Sequence, residues 1–239
     1  MQKSKIITHF NNLYALNKEQ KLYLTVHSKR FEIILNWLRN KDLKTALDIG
    51  PSFLSELLYP KFQHHLYLMG FDSENSLGGH LVSNTIIKKT NFIAQDLNFL
   101  DTHKITEKFD LIICAEVLEH LYTSPNKLFR NLFSLINKEG YLIIQTPNAV
   151  ALRKRLLMVF GKNPFEIPRE NLENPGHYRE YTLKELKTMA LKSGFTIDTV
   201  IQDEYFEYPS LLSKTYRMFK KIIPPGLRSG ITLILKKAK

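Results

Sequence analysis

The chain has 239 residues, 44% hydrophobic and 11% aromatic, which suits one α/β domain with additions and a sizeable core. Its one cysteine, Cys114, excludes an intrachain disulfide framework and a cysteine-built zinc site, and it points to a reducing compartment. The net charge of +11 is lopsided: the 32 residues after Glu207 hold eight Lys and Arg and no acid, leaving +3 elsewhere, which argues against a broad nucleic-acid-binding face but not against a local basic patch.

The amino terminus carries no apolar run of signal-peptide kind, and no stretch approaches the length of a membrane span. A cytoplasmic protein is therefore expected. Residues 1–43 read as a helical segment, with a helix from about Asn17 to Arg39 whose stripe is Phe31, Ile34, Leu35 and Leu38. From residue 44 onward, short apolar strands alternate with helical stretches. The strands are TALDIG, HLYLMGFD, NFIAQDL, FDLIICAE and YLIIQTPN. Between the last two, Ser124-Pro125 reads as a capped helix start, Leu128, Phe129, Leu132, Leu135 and Ile136 supply the buried face, and Gly140 ends the segment. Thr182 and Glu185 form a capping-box pattern for a helix that Gly194 stops. FTIDTVIQ and GITLILKK are two last strands, and the connection between them is suited to returning the chain antiparallel at the sheet's edge. Alternating strands and helices predict a mostly parallel sheet covered on both faces.

Three strand ends carry carboxylates, Asp48, Asp72 and Asp96. Aspartate also favours turns and caps, but three along one rim, with Gly50, favour a nucleoside ligand. The fourth strand runs into Glu116-Val117-Leu118-Glu119-His120. On a helix Glu116, Glu119 and His120 share one side, with Leu118, Leu121 and Tyr122 opposite. His177 follows 57 residues later in the loop-like NPGHYREYT. Two carboxylates and two imidazoles suit a divalent cation, and the plain alternative is a solvated helix face with a satisfied histidine. Cys114, closing an apolar run, reads as a core residue more readily than as a nucleophile.

The order and spacing of LDIG, GFD, AQDL, FDLIICAEVLEHL, GYLIIQTPN and YTLKELKTMALKSGF resemble the class I S-adenosylmethionine-dependent methyltransferases over about residues 44–202, with GITLILKK as the last strand. The resemblance implies a Rossmann-like seven-stranded, mostly parallel sheet in the order 3-2-1-4-5-7-6, strand 7 antiparallel, with helices on both faces. It implies that Asp48 and Gly50 border the methionine part of the cofactor, that Asp72 holds the ribose, and that Asp96 with Leu97 meets the adenine. Cys114 to Glu116 would line the donor side. The sequence departs from the family's D-x-G-x-G-x-G loop: in Asp48-Ile49-Gly50-Pro51-Ser52-Phe53-Leu54 only the first glycine remains, which raises the alternative of a non-catalytic member.

The Glu-x-x-Glu-His run with a later histidine resembles two subgroups, the ubiquinone-biosynthesis O-methyltransferases and the RNA 2′-O-methyltransferases. It implies a magnesium or manganese ion held by Glu116, Glu119, His120 and His177. Catalysis falls to His120, His177 and Glu116, with His120 the leading base where no metal is present. Two insertions, at about 149–180 and 203–229, mix apolar and basic residues and resemble elements that cover amphipathic acceptors. The expected activity is O-methylation of a small, saccharide or lipid-linked hydroxylated acceptor, with an RNA 2′-O-methyltransferase as the alternative. Expected partners are that acceptor and, through the basic carboxyl-terminal region, the membrane surface, with nucleic acid a weaker candidate.

Overall fold

The computed structural model describes residues 1–71, 84–170, 176–205 and 222–238. Its strands are β1 (Ala46–Ile49), β2 (Leu66–Gly70), β3 (Asn91–Ala94), β4 (Phe109–Ala115), β5 (Ile136–Pro147), β6 (Phe195–Asp203) and β7 (Gly230–Lys237). They form one seven-stranded sheet in the order β3-β2-β1-β4-β5-β7-β6. The first five are parallel to one another, and β7 runs antiparallel to both β5 and β6.

This is the Rossmann-like α/β order that the family resemblance implied. In it β7 lies inside the sheet and β6 is the edge. Composition explains the placement. GITLILKK is apolar on both faces, with Ile231, Leu233 and Leu235 entering one core layer and Ile234 the other. FTIDTVIQD is only half-buried along most of its length, as an edge strand tolerates.

Period-two alternation divides the core. On one face Leu47, Ile112, Cys114, Leu142 and Ile144 meet α5 (Pro125–Leu135) and α7 (Leu183–Lys192). On the other, Ala46, Leu111, Ile113 and Ile143 meet α1 (Lys3–Leu13), α2 (Lys18–Leu38) and α3 (Phe53–Phe62). A short α4 (Asn84–Lys89) precedes β3, and α6 (Leu152–Val159) follows β5 with no fully buried residue. No described helix is long and apolar enough to cross a membrane.

Local signals account for the boundaries. Asn17 and Gln20 close a reciprocal capping box at the start of α2, and Thr182 and Glu185 close another at α7. Gly194, at φ +94°, stops α7 against the Phe133 ring. Two expectations need correction. Ser124 makes no side-chain cap bond, and α5 ends at Leu135 rather than running to Gly140. Ile136 is already the first residue of β5, paired with Phe109.

Candidate active site at the carboxyl ends of β1, β4 and β5

At the end of β1, Asp48 is buried and its Oδ2 accepts the Ser55 hydroxyl at 2.7 Å. Burial pushes its carboxyl up to about 7, against the opposing pull of that hydrogen bond and of Arg30. Gly50 adopts φ +73°, and a Cβ there would lie 2.5 Å from Val117 Cγ2, so the retained glycine serves both the turn and the close approach of the β4 loop. The residues replacing the other glycines turn to a different use. Ser52 caps α3 and Leu54 is buried in the core, while Phe53 between them packs against Phe10, with ring centroids 4.7 Å apart. The bulk of Phe53 packs beneath the loop and not into it.

After β3, Asp96 Oδ1 accepts from the Asn98 backbone N–H at 2.8 Å and the Asn98 amide at 3.0 Å, while Leu97 begins a buried turn. Asn98 Oδ1 in turn accepts the N–H groups of Tyr122 and Thr123, tying the rim after β3 to the rim after β4. Three exposed rings run across this rim: Phe99 and Tyr122 have centroids 6.1 Å apart, and Tyr122 and Tyr178 5.7 Å apart. Asp72 lies outside the described residues.

The helix expected over 116–120 does not form. Glu116 leaves β4 in the left-handed region at φ 57°, its N–H donating to Gln145 O at 2.8 Å, and only a single 3-10 turn, Leu118–His120, follows. A left-handed residue breaks the helical path, so the side chains are gathered by tertiary contacts instead. Glu119 is fully buried, and its Oε2 accepts the Thr146 hydroxyl at 3.0 Å. Its main-chain oxygen accepts the N–H groups of Tyr178 at 2.8 Å and Arg179 at 3.2 Å, which docks the His177 loop. His120 Nδ1 lies 2.8 Å from the Gly176 carbonyl, and the His120 and His177 ring centroids are 4.8 Å apart. A carbonyl only accepts, so His120 carries a proton on Nδ1, and its neutral form is the tautomer with Nε2 bare. His177 Nδ1 lies 3.3 Å from Glu180 Oε1. Burial, then His120, pushes the His177 imidazole down to about 4, so it is neutral at pH 7.

Ligand-capable atoms of Glu119, His120 and His177 all lie within 4.8 Å of one another. Glu116 does not join that trio, and its carboxyl instead meets that of Glu119. Burial, and for Glu116 also the Glu119 charge, raise both carboxyls above the usual range. Glu116 Oε1, Glu119 Oε1 and Gln145 Oε1 are buried with no hydrogen-bond partner among the described residues. Orphaned acceptors beside the strand ends suit a cationic or hydrogen-donating guest, whether the ammonium of a methionine moiety or a divalent ion. Cys114 packs inside the core beneath them, its thiol pushed up by burial, and lines no opening.

Several residues of the site escape the sequence reading. Arg30 of α2 is only 2% exposed; its Nε donates to His27 Nδ1 at 3.0 Å and its Nη2 to the Tyr23 hydroxyl at 2.7 Å. Burial, then Arg30, push the His27 imidazole down to about 2. Lys154 of α6 reaches back to pair with Glu180 and with the Asn148 carbonyl at 3.3 Å, and burial pushes its ammonium down to about 8. The available signal was spacing: Tyr23, His27 and Arg30 fall at i, i+4 and i+7 on one helix face.

A family model described as a methyltransferase domain matches residues 27–200. A ubiquinone biosynthesis O-methyltransferase of Glaesserella parasuis is 39% identical over 64 residues, which is 26% of this chain and only 27% of that relative's length. The fold is similar to an S-adenosylmethionine-dependent methyltransferase of Clostridium acetobutylicum, with TM-score 0.55, 15% identity, and 99% and 98% of the two chains covered. It is also similar to the N-methyltransferase NodS of Bradyrhizobium japonicum, solved with S-adenosyl-L-homocysteine, with TM-score 0.50, 13% identity, and 88% and 87% covered.

Proposed function

The chain belongs to the class I S-adenosylmethionine-dependent methyltransferases, and on that premise we propose that it transfers the cofactor's methyl group to a hydroxyl of a small, saccharide or lipid-linked acceptor. The observation that carries this reading is the Glu119–His120–His177 cluster at the end of β4. Transfer from a sulfonium begins with an activated methyl, so the protein has to align the acceptor and take its proton. An oxygen acceptor makes the second task the harder one. The neutral tautomer of His120 that the Gly176 carbonyl selects offers Nε2 for it, and neutral His177 stands beside it.

Cofactor contacts fall to Asp48, Gly50, Asp96, Leu97 and Glu116, with Asp72 for the ribose. The core position of Phe53 supports catalysis over a purely structural role, because the altered loop keeps its glycine where close approach occurs. Glu119, His120 and His177 fit a divalent ion such as magnesium or manganese, with Glu116 beside them. When bound, such an ion supplies an acidified, oriented hydroxyl. The ring series Phe99, Tyr122 and Tyr178 supports a ring-bearing acceptor, and α6 supports an amphipathic one.

The test is incubation of cell extracts with the protein and isotope-labelled S-adenosylmethionine, read by mass spectrometry, with and without a chelator. Label in an O-methyl group of a glycan or lipid fraction is expected, and its loss to chelator with recovery on adding magnesium or manganese identifies the ion. Label confined to RNA ends selects the RNA 2′-O-methyltransferase instead, and no label from a protein that binds cofactor rejects catalysis.

A further inference from the structure

Glu180 lies four residues beyond the Gly176 carbonyl, in the same loop as His177, and its side chain is 7% exposed. Each of its oxygens has a separate task. Oε2 pairs with the ammonium of Lys154, and Oε1 faces His177 Nδ1 at 3.3 Å. Lys154 comes from α6, none of whose residues is fully buried, and its ammonium also contacts the Asn148 carbonyl. The loop carrying Glu180 is fixed by the Glu119 main-chain oxygen and by the capping box of α7 just beyond it.

Resting on the proposed role of the histidine pair, we propose that Glu180 is a positioning residue: paired with Lys154, it holds the proton of His177 on Nδ1 and so keeps Nε2 bare and turned to the acceptor. The argument is one of donors and acceptors. A carboxylate held by an ammonium is an acceptor, and it can satisfy only a protonated Nδ1. The Gly176 carbonyl does the same for His120, so two differently built partners leave both imidazoles in one tautomer. A bare Nε2 serves equally to take a proton or to bind an ion, and in either case an outer carboxylate fixes the ring's orientation and basicity. Lys154 adds a mechanical element, because displacing α6 removes the ammonium that pins Glu180.

Long-range proton–nitrogen NMR of the histidine side chains at pH 7 tests this, with His177→Asn identifying the His177 signals. The wild type is expected to show protonated Nδ1 and bare Nε2 at His177. In Glu180→Gln the amide can present its NH2 to the ring, so the tautomer should mix or reverse, while Glu180→Asp should keep it. Once an acceptor is known, kcat should fall about 10–100-fold in Glu180→Gln with KM for S-adenosylmethionine unchanged, and recover in part in Glu180→Asp. A wild-type His177 protonated on Nε2, or on both nitrogens, overturns the proposal whether or not the variants fold. So does a Glu180→Gln protein with wild-type tautomer or wild-type kcat. The NMR arm needs no substrate, so its failure is separable from a failure of the O-methylation reading.

Discussion

Asp48, Glu116 and Glu119 share the field of one cation, Arg30, carried by a helix that precedes all three in sequence. Arg30 has no carboxylate in ion-pair reach among the described residues; its guanidinium donates to a neutral imidazole and a phenol and lies over the Phe31 ring. A buried guanidinium so placed has capacity left for an anion such as the carboxylate of a bound methionine moiety. Arg30→Met should therefore weaken S-adenosylmethionine binding by at least about tenfold in calorimetry, a loss of about 1.4 kcal/mol. Asp48 gives a pH prediction. Its carboxyl is raised to about 7 from 3.8, so between those values the folded state holds a proton that the unfolded state has released. Stability from this group is complete below about pH 4 and is lost as the pH rises through about 7. The unfolding temperature of the free protein should fall across that window, and Asp48→Asn should flatten the fall. The candidate site residues stood out in sequence because Glu, His and Asp at strand ends are chemically conspicuous. Their geometry was not legible, because the left-handed turn at Glu116 goes with the close approach of Val117 to Gly50, across 67 residues of chain. Arg30 was hidden for a similar reason: it looks like any surface residue until the sheet covers it.

The elements themselves were largely readable, since a strand buried on both faces is a short apolar run and a capped helix announces its first turn. β1 to β7 coincide with apolar runs, and the α2 and α7 boxes with their sequence signals. Residues 1–43 were readable as helical, but the bounds of α1 within them were not, because Ile6 and Phe10 are its only fully buried positions, too few to show a period. α6 differs from the others in what it exposes. Val159 and Phe160 are 79% and 76% exposed and Ile167 84%, with Arg153, Arg155 and Lys162 exposed among them. Such a surface favours an anionic bilayer. Val159→Ser with Phe160→Ser should reduce co-sedimentation with phosphatidylglycerol vesicles and leave phosphatidylcholine controls unaffected; equal sedimentation of variant and wild type would count against a membrane role for α6. The other basic segment, with Lys214, Arg217, Lys220 and Lys221, lies outside the described residues, and the same assay with those four changed to Gln separates its contribution.

Across the whole molecule, the first two helices and the cofactor loop form one packed unit. Phe10 of α1 lies against Phe53 of α3, Tyr23 of α2 lies 6.0 Å from Phe53, and Tyr14 donates to Glu56 at 2.5 Å. Removing residues 1–16 should therefore lower cofactor affinity although those residues lie in α1 and the turn after it. In a thermal-shift titration the full chain at a hundred times Kd gains about 2.7 kcal/mol, and the truncated one should need more cofactor for the same gain. A truncated protein with unchanged affinity would show that the loop holds its shape alone. The interior place of β7 has a consequence for how the chain is made. β6 touches the sheet only through β7, which is synthesised later, so β6 waits unpaired while the open side of β5 stays bare. The sheet cannot be completed in the order of translation. Two apolar strand edges remain exposed until the hairpin returns and wedges itself between them, and that interval is when a nascent chain is most open to pairing with a neighbour.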